Sequence, residues 1–448
     1  MDNKKYMIIG LGKSGIAMAQ YIHAHGGNVV AYDLKPSEAA ISELFGKVEI
    51  LKGEFLPEWL DGIDELVMSP GVPTKLPFVE KAKELGISVI GEIEFSYRYC
   101  KGNIIAITGT NGKTTTTTLT GLILKNAGLD TFVVGNIGNV FISETDRISP
   151  DSAVVAEISS YQLETIDTFR PVISAVLNVT PDHLSRHGTM EEYTRVKFDV
   201  ARNMQGGYVV LNADNTITAT TDVSPNTPIY FSARKVLTKG AWVENDTLVF
   251  DIGNGKQHIC KTSELHILGI HNIENALAAS LISALYGVGC DAIRDTLINF
   301  YGVEHRIEYC GESRGIKFYN DSKGTNCDST IQAIRAMPSK TALILGGYDK
   351  GSTFDELFDE IDGNIKFISV LGQTAPLIME TAQRYGYKNI KQVNTFIEAI
   401  DEAYSACTAG ENVLLSPACA SWDMFDNFEQ RGDIFKAHVA NIIEKDKA

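Results

Sequence analysis

The 448-residue chain has only seven cysteines: Cys100, Cys260, Cys290, Cys310, Cys327, Cys407 and Cys419. They are scattered, odd in number and contain no C-x-x-C pair, which excludes a disulfide framework and offers no zinc-ligand spacing. Long apolar runs are also missing. The most apolar long segment, around Ala276 to Val288, is interrupted by serines and too short to span a bilayer. The N-terminus, MDNKKYMIIGLGKSG, lacks the apolar region and small-residue cleavage site of a secretory signal. Positive charge is in deficit, with 40 Lys and Arg against 56 Asp and Glu and a net charge of -16. Such a balance repels a polyphosphate backbone, so no nucleic-acid partner is expected, and the lack of a long apolar run leaves no membrane insertion expected. Small phosphates stay open, because they need only a local nest of donors. The chain reads as cytosolic and reduced.

What is present is ordinary globular material, 44% hydrophobic and 21% charged. Short Val- and Ile-rich runs alternate with helix-length stretches: YMIIG, NVVAYD, ELVMS, IIAITG, TFVVGN, AVVAEIS and SAVLNV, then KFYND, TALILGG, KFISVLG and NVLLSP. That alternation implies βαβ units around parallel sheets, an α/β protein of three domains. The expected limits are 1–97, 98–302 and 303–448. The first and third domains are expected to be Rossmann-like. The central one is expected to be of P-loop ATPase type, with a small antiparallel patch formed by PIYFS and AWVENDTLVFD and a hairpin turn at Asn245-Asp246.

The strongest local signal is Gly109, Thr110, Asn111, Gly112, Lys113, Thr114 and Thr115 between a strand and a helix. Backbone N–H groups at a helix start cradle phosphates, Lys113 adds a cation, and the Thr114 hydroxyl can ligate Mg²⁺. The residue five before Gly112 is Ile107, which departs from the general G-x-x-x-x-G-K-[ST] spacing, so a plain strand-helix turn is the competing reading. Glu157 closes another strand, where a second metal ligand would sit, and His183 follows Asp182 after a third. Gly10-x-Gly12-x-x-Gly15 with Asp33 at the next strand end is, by itself, a dinucleotide fingerprint. On those residues a NAD-dependent oxidoreductase is the alternative from another class, and an NTP-dependent switch is a third.

T-G-T-N-G-K-T-T resembles the phosphate loop of the Mur ligase and folylpolyglutamate synthetase superfamily. Further motifs extend the resemblance over essentially the whole chain: GNIG from Gly135, EISSYQLE from Glu157, NVTPDHLSRH from Asn178, HNIENALAA from His271, HRIE from His305, NDSKGTN from Asn320 and SPACASWDMFDNFEQRG from Ser416. The set is most similar to the D-glutamate-adding Mur ligases. The D-N-P-R motif of the diaminopimelate-adding members is absent, and folylpolyglutamate synthetases lack a domain like 1–97. Another amino-acid-adding member of the superfamily is the nearest alternative.

The resemblance implies a monomeric cytoplasmic enzyme that uses ATP and two Mg²⁺ ions to join D-glutamate to UDP-N-acetylmuramoyl-L-alanine. It implies metal ligation by Thr114, Glu157, His183 and Lys197, the last as a carbamate, a modification that sequence alone does not show. Nucleotide contacts are implied for the phosphate loop, Asn275, Arg306 and Asp321. Lys113, His183, Lys197, Arg306 and Lys323 are implied in catalysis. The nucleotide-sugar is assigned to Ser14, Asp33, Lys35, Ser69, Gly71 and Asn136, with Pro70 beside them. Lys350, Ser421 and Phe428 are assigned to the incoming amino acid, and Thr325 to substrate binding.

Overall fold

The computed structural model describes residues 4–349, 351, 353–361 and 363–447. The chain divides into two compact units, Met1–Lys261 with Glu274–Leu297, and Thr262–Ile273 with Ile298–Ala448. Among the described residues no helix is long and apolar enough to cross a membrane.

The first unit carries two sheets. One is five-stranded and parallel, in the order Glu49–Lys52, Asn28–Asp33, Lys5–Ile9, Glu65–Met68 and Ser88–Gly91. The other has nine strands, with Asn103–Thr108 between Ile173–Val176 and Ala153–Glu157. Central strands such as Ala153–Glu157 and Ile173–Val176 are buried throughout, which their continuous apolar runs anticipate. The helix Lys113–Asn126 begins with five threonines in its first six positions. β-Branched residues are poor helix formers, so burial of Thr114 to Thr117 and the preceding glycine turn hold this helix, not its propensity.

One expectation is corrected here. PIYFS lies in Thr227–Ser232, which pairs parallel with both Tyr208–Asn212 and Gly240–Glu244. Antiparallel pairing starts only with Gly240–Glu244 against Thr247–Asp251 and continues to Gln257–Lys261, so the patch is the edge of the nine-stranded sheet. Its hairpin turn does fall at Asn245 and Asp246, both in the left-handed region at φ 47° and 59°. Such a turn constrains the strands it joins. It says nothing about the hand of the pairing one strand earlier.

The second unit has a six-stranded sheet in the order Glu308–Ser313, Ile316–Asn320, Asn412–Leu415, Thr341–Leu345, Ile365–Val370 and Ile390–Gln392. It is parallel except for the hairpin of the first two strands.

Within the first unit one buried carboxylate makes a dense set of bonds between the helix after the first sheet and a loop of the second. Glu94, on the helix Glu92–Tyr99, is fully buried. Its Oε2 accepts the backbone N–H groups of Asp167, Thr168 and Phe169 at 2.9, 2.9 and 2.8 Å. Its Oε1 accepts the Thr168 hydroxyl at 2.6 Å and Arg98 Nε at 3.1 Å. Burial alone would raise the Glu94 pKa, but these hydrogen bonds to the charged form outweigh it and hold the pKa below its ordinary value. A depressed carboxylate stabilises the fold above its unfolded pKa, and that stabilisation is lost as pH falls through the folded value. Glu94→Ala should therefore cost the first unit about 3 kcal/mol, since it strands several buried donors. A lower urea midpoint at neutral pH, with the gap from wild type closing on acidification, is the expected measurement.

Candidate active site

The phosphate loop leaves the strand Asn103–Thr108 at Gly109 and enters the helix Lys113–Asn126 through Gly112. Gly112 has φ 81°, and a Cβ there would lie 2.3 Å from Asn275 Oδ1. Only glycine fits, and no side chain caps the helix start. Asn178, on the neighbouring loop, grips Asn111 from both sides, accepting its N–H at 2.8 Å and donating to its carbonyl at 3.1 Å. The Thr110 hydroxyl donates to the Thr180 carbonyl and meets the Tyr193 hydroxyl, each at 3.2 Å. Thr116 donates to Asn275 at 3.2 Å. Donor groups at an uncapped helix start, fixed by this side-chain frame, form an anion cradle.

Lys113 Nζ donates to the carbonyls of Gly109 and Thr110, both at 2.8 Å. Lys197, fully buried on the helix Met190–Phe198, donates to the same Gly109 carbonyl at 2.8 Å and lies 4.6 Å over the Tyr193 ring. Burial first and the Lys113 charge second push the Lys197 pKa well below that of an ordinary lysine, toward the neutral amine.

Glu157 ends the strand beside the loop, its backbone paired with Ile107. Glu157 is buried; Oε1 accepts Asn136 Nδ2 at 2.7 Å, and Oε2 has no hydrogen-bond partner. A buried carboxylate oxygen without a donor is a costly arrangement that a hard cation would relieve. His183 sits in the left-handed region at φ 54°, unusual for a non-glycine residue, and Asp182 Oδ1 accepts its backbone N–H at 2.8 Å. Its Nε2 lies 3.5 Å from Asp182 Oδ2. Among the described residues, the group of three imidazole and carboxylate ligands that does cluster is Glu304, His305 and Asp433. Lys436 already supplies the cation there, bonded to Glu304 and 3.2 Å from Asp433.

The first sheet gathers its own candidates around Gly10. Asp33 accepts the N–H groups of Leu11 and Lys35 at 2.7 and 2.8 Å, and Ser69 donates to the Gly10 carbonyl at 2.8 Å. Ser14 donates to Glu92 at 2.9 Å, and a Cβ at Gly15 would strike the Gly10 carbonyl oxygen at 1.9 Å. Lys35, Gly71 and Asn136 are exposed.

In the second unit, buried Asp321 accepts the Ser416 hydroxyl at 2.7 Å, and desolvation lifts its pKa to about 7 against that bond and the Arg306 charge. Lys323 lies 5.1 Å over the Phe428 ring. Arg306 keeps a buried Nε with no acceptor. Arg431 is buried and donates to Ser322 Oγ and O at 3.0 and 2.7 Å, and to the Cys419 carbonyl at 3.1 Å. It thus joins the loop carrying Asp321 and Lys323 to the loop carrying Ser421. Lys350 lies outside the described residues.

Residues 4–91 match the family described as Mur ligase MurD-like, N-terminal domain, 107–283 the Mur ligase middle domain, and 305–419 the Mur ligase glutamate ligase domain. The chain is similar to the UDP-N-acetylmuramoylalanine–D-glutamate ligases of Caldanaerobacter subterraneus subsp. tengcongensis, at 46% identity, and Caldicellulosiruptor bescii, at 45%. Each comparison covers 99% of both chains. The chain belongs to the Mur ligase family. Two solved Mur ligases of Thermotoga maritima share its fold: UDP-N-acetylmuramate–alanine ligase MurC, with a TM-score of 0.61, 17% identity and 98% and 99% of the two chains covered, and MurF in complex with ADP, with 0.60, 15%, 99% and 98%.

In this Mur ligase the structure brings Gly109 to Thr115, Asn275, Glu157 and Lys197 around one strand end, and Ser14, Asp33 and Ser69 around another. Asn178, Tyr193 and Arg431 carry much of the framework, yet sequence reading assigned them no role. All three stand in or beside the motifs quoted above, but only burial and partners mark them out. Lys113→Ala should lower kcat/KM by roughly 10³-fold or more while the unfolding midpoint stays near wild type, because it removes the cation of the anion cradle and little packing. Steady-state kinetics beside a urea titration checks both halves.

Proposed function

We propose that this chain joins D-glutamate to UDP-N-acetylmuramoyl-L-alanine in the cytoplasm, as a monomer, during peptidoglycan precursor synthesis. The observation that carries this reading is the phosphate cradle with Lys113 and the half-partnered Glu157 at one strand end, in a chain 46% identical to a named D-glutamate ligase over its whole length. The domain limits we propose are 1–97 for the nucleotide-sugar, 98–302 for ATP and 303–448 for the amino acid.

A carboxylate does not acylate an amine directly, because its oxygen is a poor leaving group. An oxygen of the L-alanyl carboxylate attacks the ATP γ-phosphorus; the new O–P bond forms, the β,γ-bridging bond breaks and ADP leaves. The D-glutamate amine then attacks the acyl carbon and loses a proton, the C–O bond breaks, and phosphate leaves. In both steps negative charge builds on phosphoryl oxygens, where the loop N–H groups and Lys113 act. Arg306 and Lys323 are the further cations assigned to that charge. Asn275 and Asp321 are assigned to the nucleotide, Ser421, Phe428 and Lys350 to D-glutamate, and Thr325 to substrate binding. Ser14, Asp33, Lys35, Ser69, Gly71 and Asn136 are assigned to the nucleotide-sugar.

Thr114, Glu157 and His183 would hold Mg²⁺, and the unpartnered Glu157 oxygen fits that role. When bound, Mg²⁺ supplies charge neutralisation on the phosphates. The Lys197 amine, pushed toward its neutral form, is placed to add to CO₂. Its N–C bond forms as a proton departs, leaving a carbamate anion suited to a hard cation.

Phosphate release measured with each substrate omitted in turn tests the reading. Release should need ATP, nucleotide-sugar and D-glutamate together. Release indifferent to the nucleotide-sugar would favour an NTP-dependent switch, and NAD binding tighter than nucleotide-sugar binding would restore the oxidoreductase.

A further inference from the structure

A chain of contacts in the first unit runs from the loop after Glu65–Met68 to His183 through residues with no assigned role. Arg186 lays its guanidinium over the Tyr161 ring, 4.6 Å from the centroid, and donates to Glu164 from Nε at 3.1 Å and from Nη2 at 2.7 Å. Both side chains are largely buried, at 16% and 13% exposure, so their pairing is little weakened by solvent. The same pair reaches the loop: Arg186 Nη2 donates to the Val72 carbonyl at 3.3 Å, and the Thr74 hydroxyl donates to Glu164 at 3.1 Å. At the far end the Tyr161 hydroxyl lies 3.0 Å from His183 Nδ1. Tyr161, Glu164 and Arg186 line a cavity of about 520 Å³ with Thr74, Lys75 and His187.

We infer that Tyr161 is a positioning residue for His183, and that the Glu164–Arg186 pair clamps Tyr161 to the loop that walls the nucleotide-sugar. The inference rests on the role given to His183 above. The His183 side chain is 42% exposed. A hydrogen bond to one ring nitrogen selects one rotation and directs the other nitrogen, and such outer partners tune catalytic imidazoles. Because Val72 and Thr74 share a loop with Ser69 and Gly71, the position of the nucleotide-sugar wall reaches His183 through packed, hydrogen-bonded side chains.

Tyr161→Phe keeps the ring beneath Arg186 and removes only the hydroxyl. Its kcat should fall roughly 10- to 100-fold with the nucleotide-sugar KM unchanged. Added to His183→Ala it should cost nothing more. In the protein without substrate or metal, and with the imidazole neutral, the His183 Nδ1 resonance should move in Tyr161→Phe. Glu164→Gln should raise the nucleotide-sugar KM and lower kcat together. An unmoved Nδ1 resonance, wild-type turnover of Tyr161→Phe beside a crippled His183→Ala, or losses that add in the double variant would overturn the positioning role. Unchanged constants in Glu164→Gln would overturn the clamp. Normal turnover of His183→Ala would remove the catalytic role of His183 itself, and with it the reason to position it.

Discussion

One carbonyl oxygen concentrates the chemistry of this Mur ligase. The Gly109 oxygen accepts both Lys113 Nζ and Lys197 Nζ at 2.8 Å. Lys197 is cut off from water, and two ammonium groups on one neutral acceptor also repel each other. The conflict resolves by polarising their roles. Lys113 is partly exposed at the helix start, while burial first and the Lys113 charge second drive Lys197 toward the neutral amine. Burial of Lys197 and its closeness to Lys113 thus set apart two lysines that share one oxygen.

The surrounding fold makes this crowding possible. Parallel strands ending side by side place Gly109, Glu157 and the loop after Ile173–Val176 at the C-terminal ends of three neighbouring interior strands of the nine-stranded sheet. Asn178 then fixes Asn111, and Tyr193 packs between Thr110 and Lys197. Glu94 fixes the first sheet against the second, so that the Gly10 turn and the Ser69 loop keep a defined place in the same unit. Stability in that unit therefore hangs on buried polar groups as well as on its apolar core. Such groups specify one docking geometry, because a shifted interface would leave several donors unsatisfied.

Much of this was legible in the sequence. Strong apolar runs such as AVVAE and TALIL are buried strands, and the Asn-Asp turn falls where its left-handed preference requires. The short edge strands Glu49–Lys52 and Ile390–Gln392 escaped notice, since few of their residues are buried and periodicity has little to act on. The hand of the Thr227–Ser232 pairing was misread because parallel and antiparallel edges share one composition. Glu94 looks like a surface acid in EIEFSYRY, and Arg431 like a solvated helix residue; only their tertiary partners show otherwise. The motif residues were visible as candidates, but the burial and the Lys113 charge that lower the Lys197 pKa come from elements far apart in sequence.

The central claim is that Lys197 serves as an anion made from a neutral amine and not as a structural cation. Steady-state activity of Lys197→Ala, measured across a wide range of added formate or acetate, tests it most directly. The account predicts an inactive variant partly restored by the small carboxylate, which fills the vacated space and returns the missing negative charge. Full activity in the variant, or an inactive variant with no response to carboxylate, would contradict it.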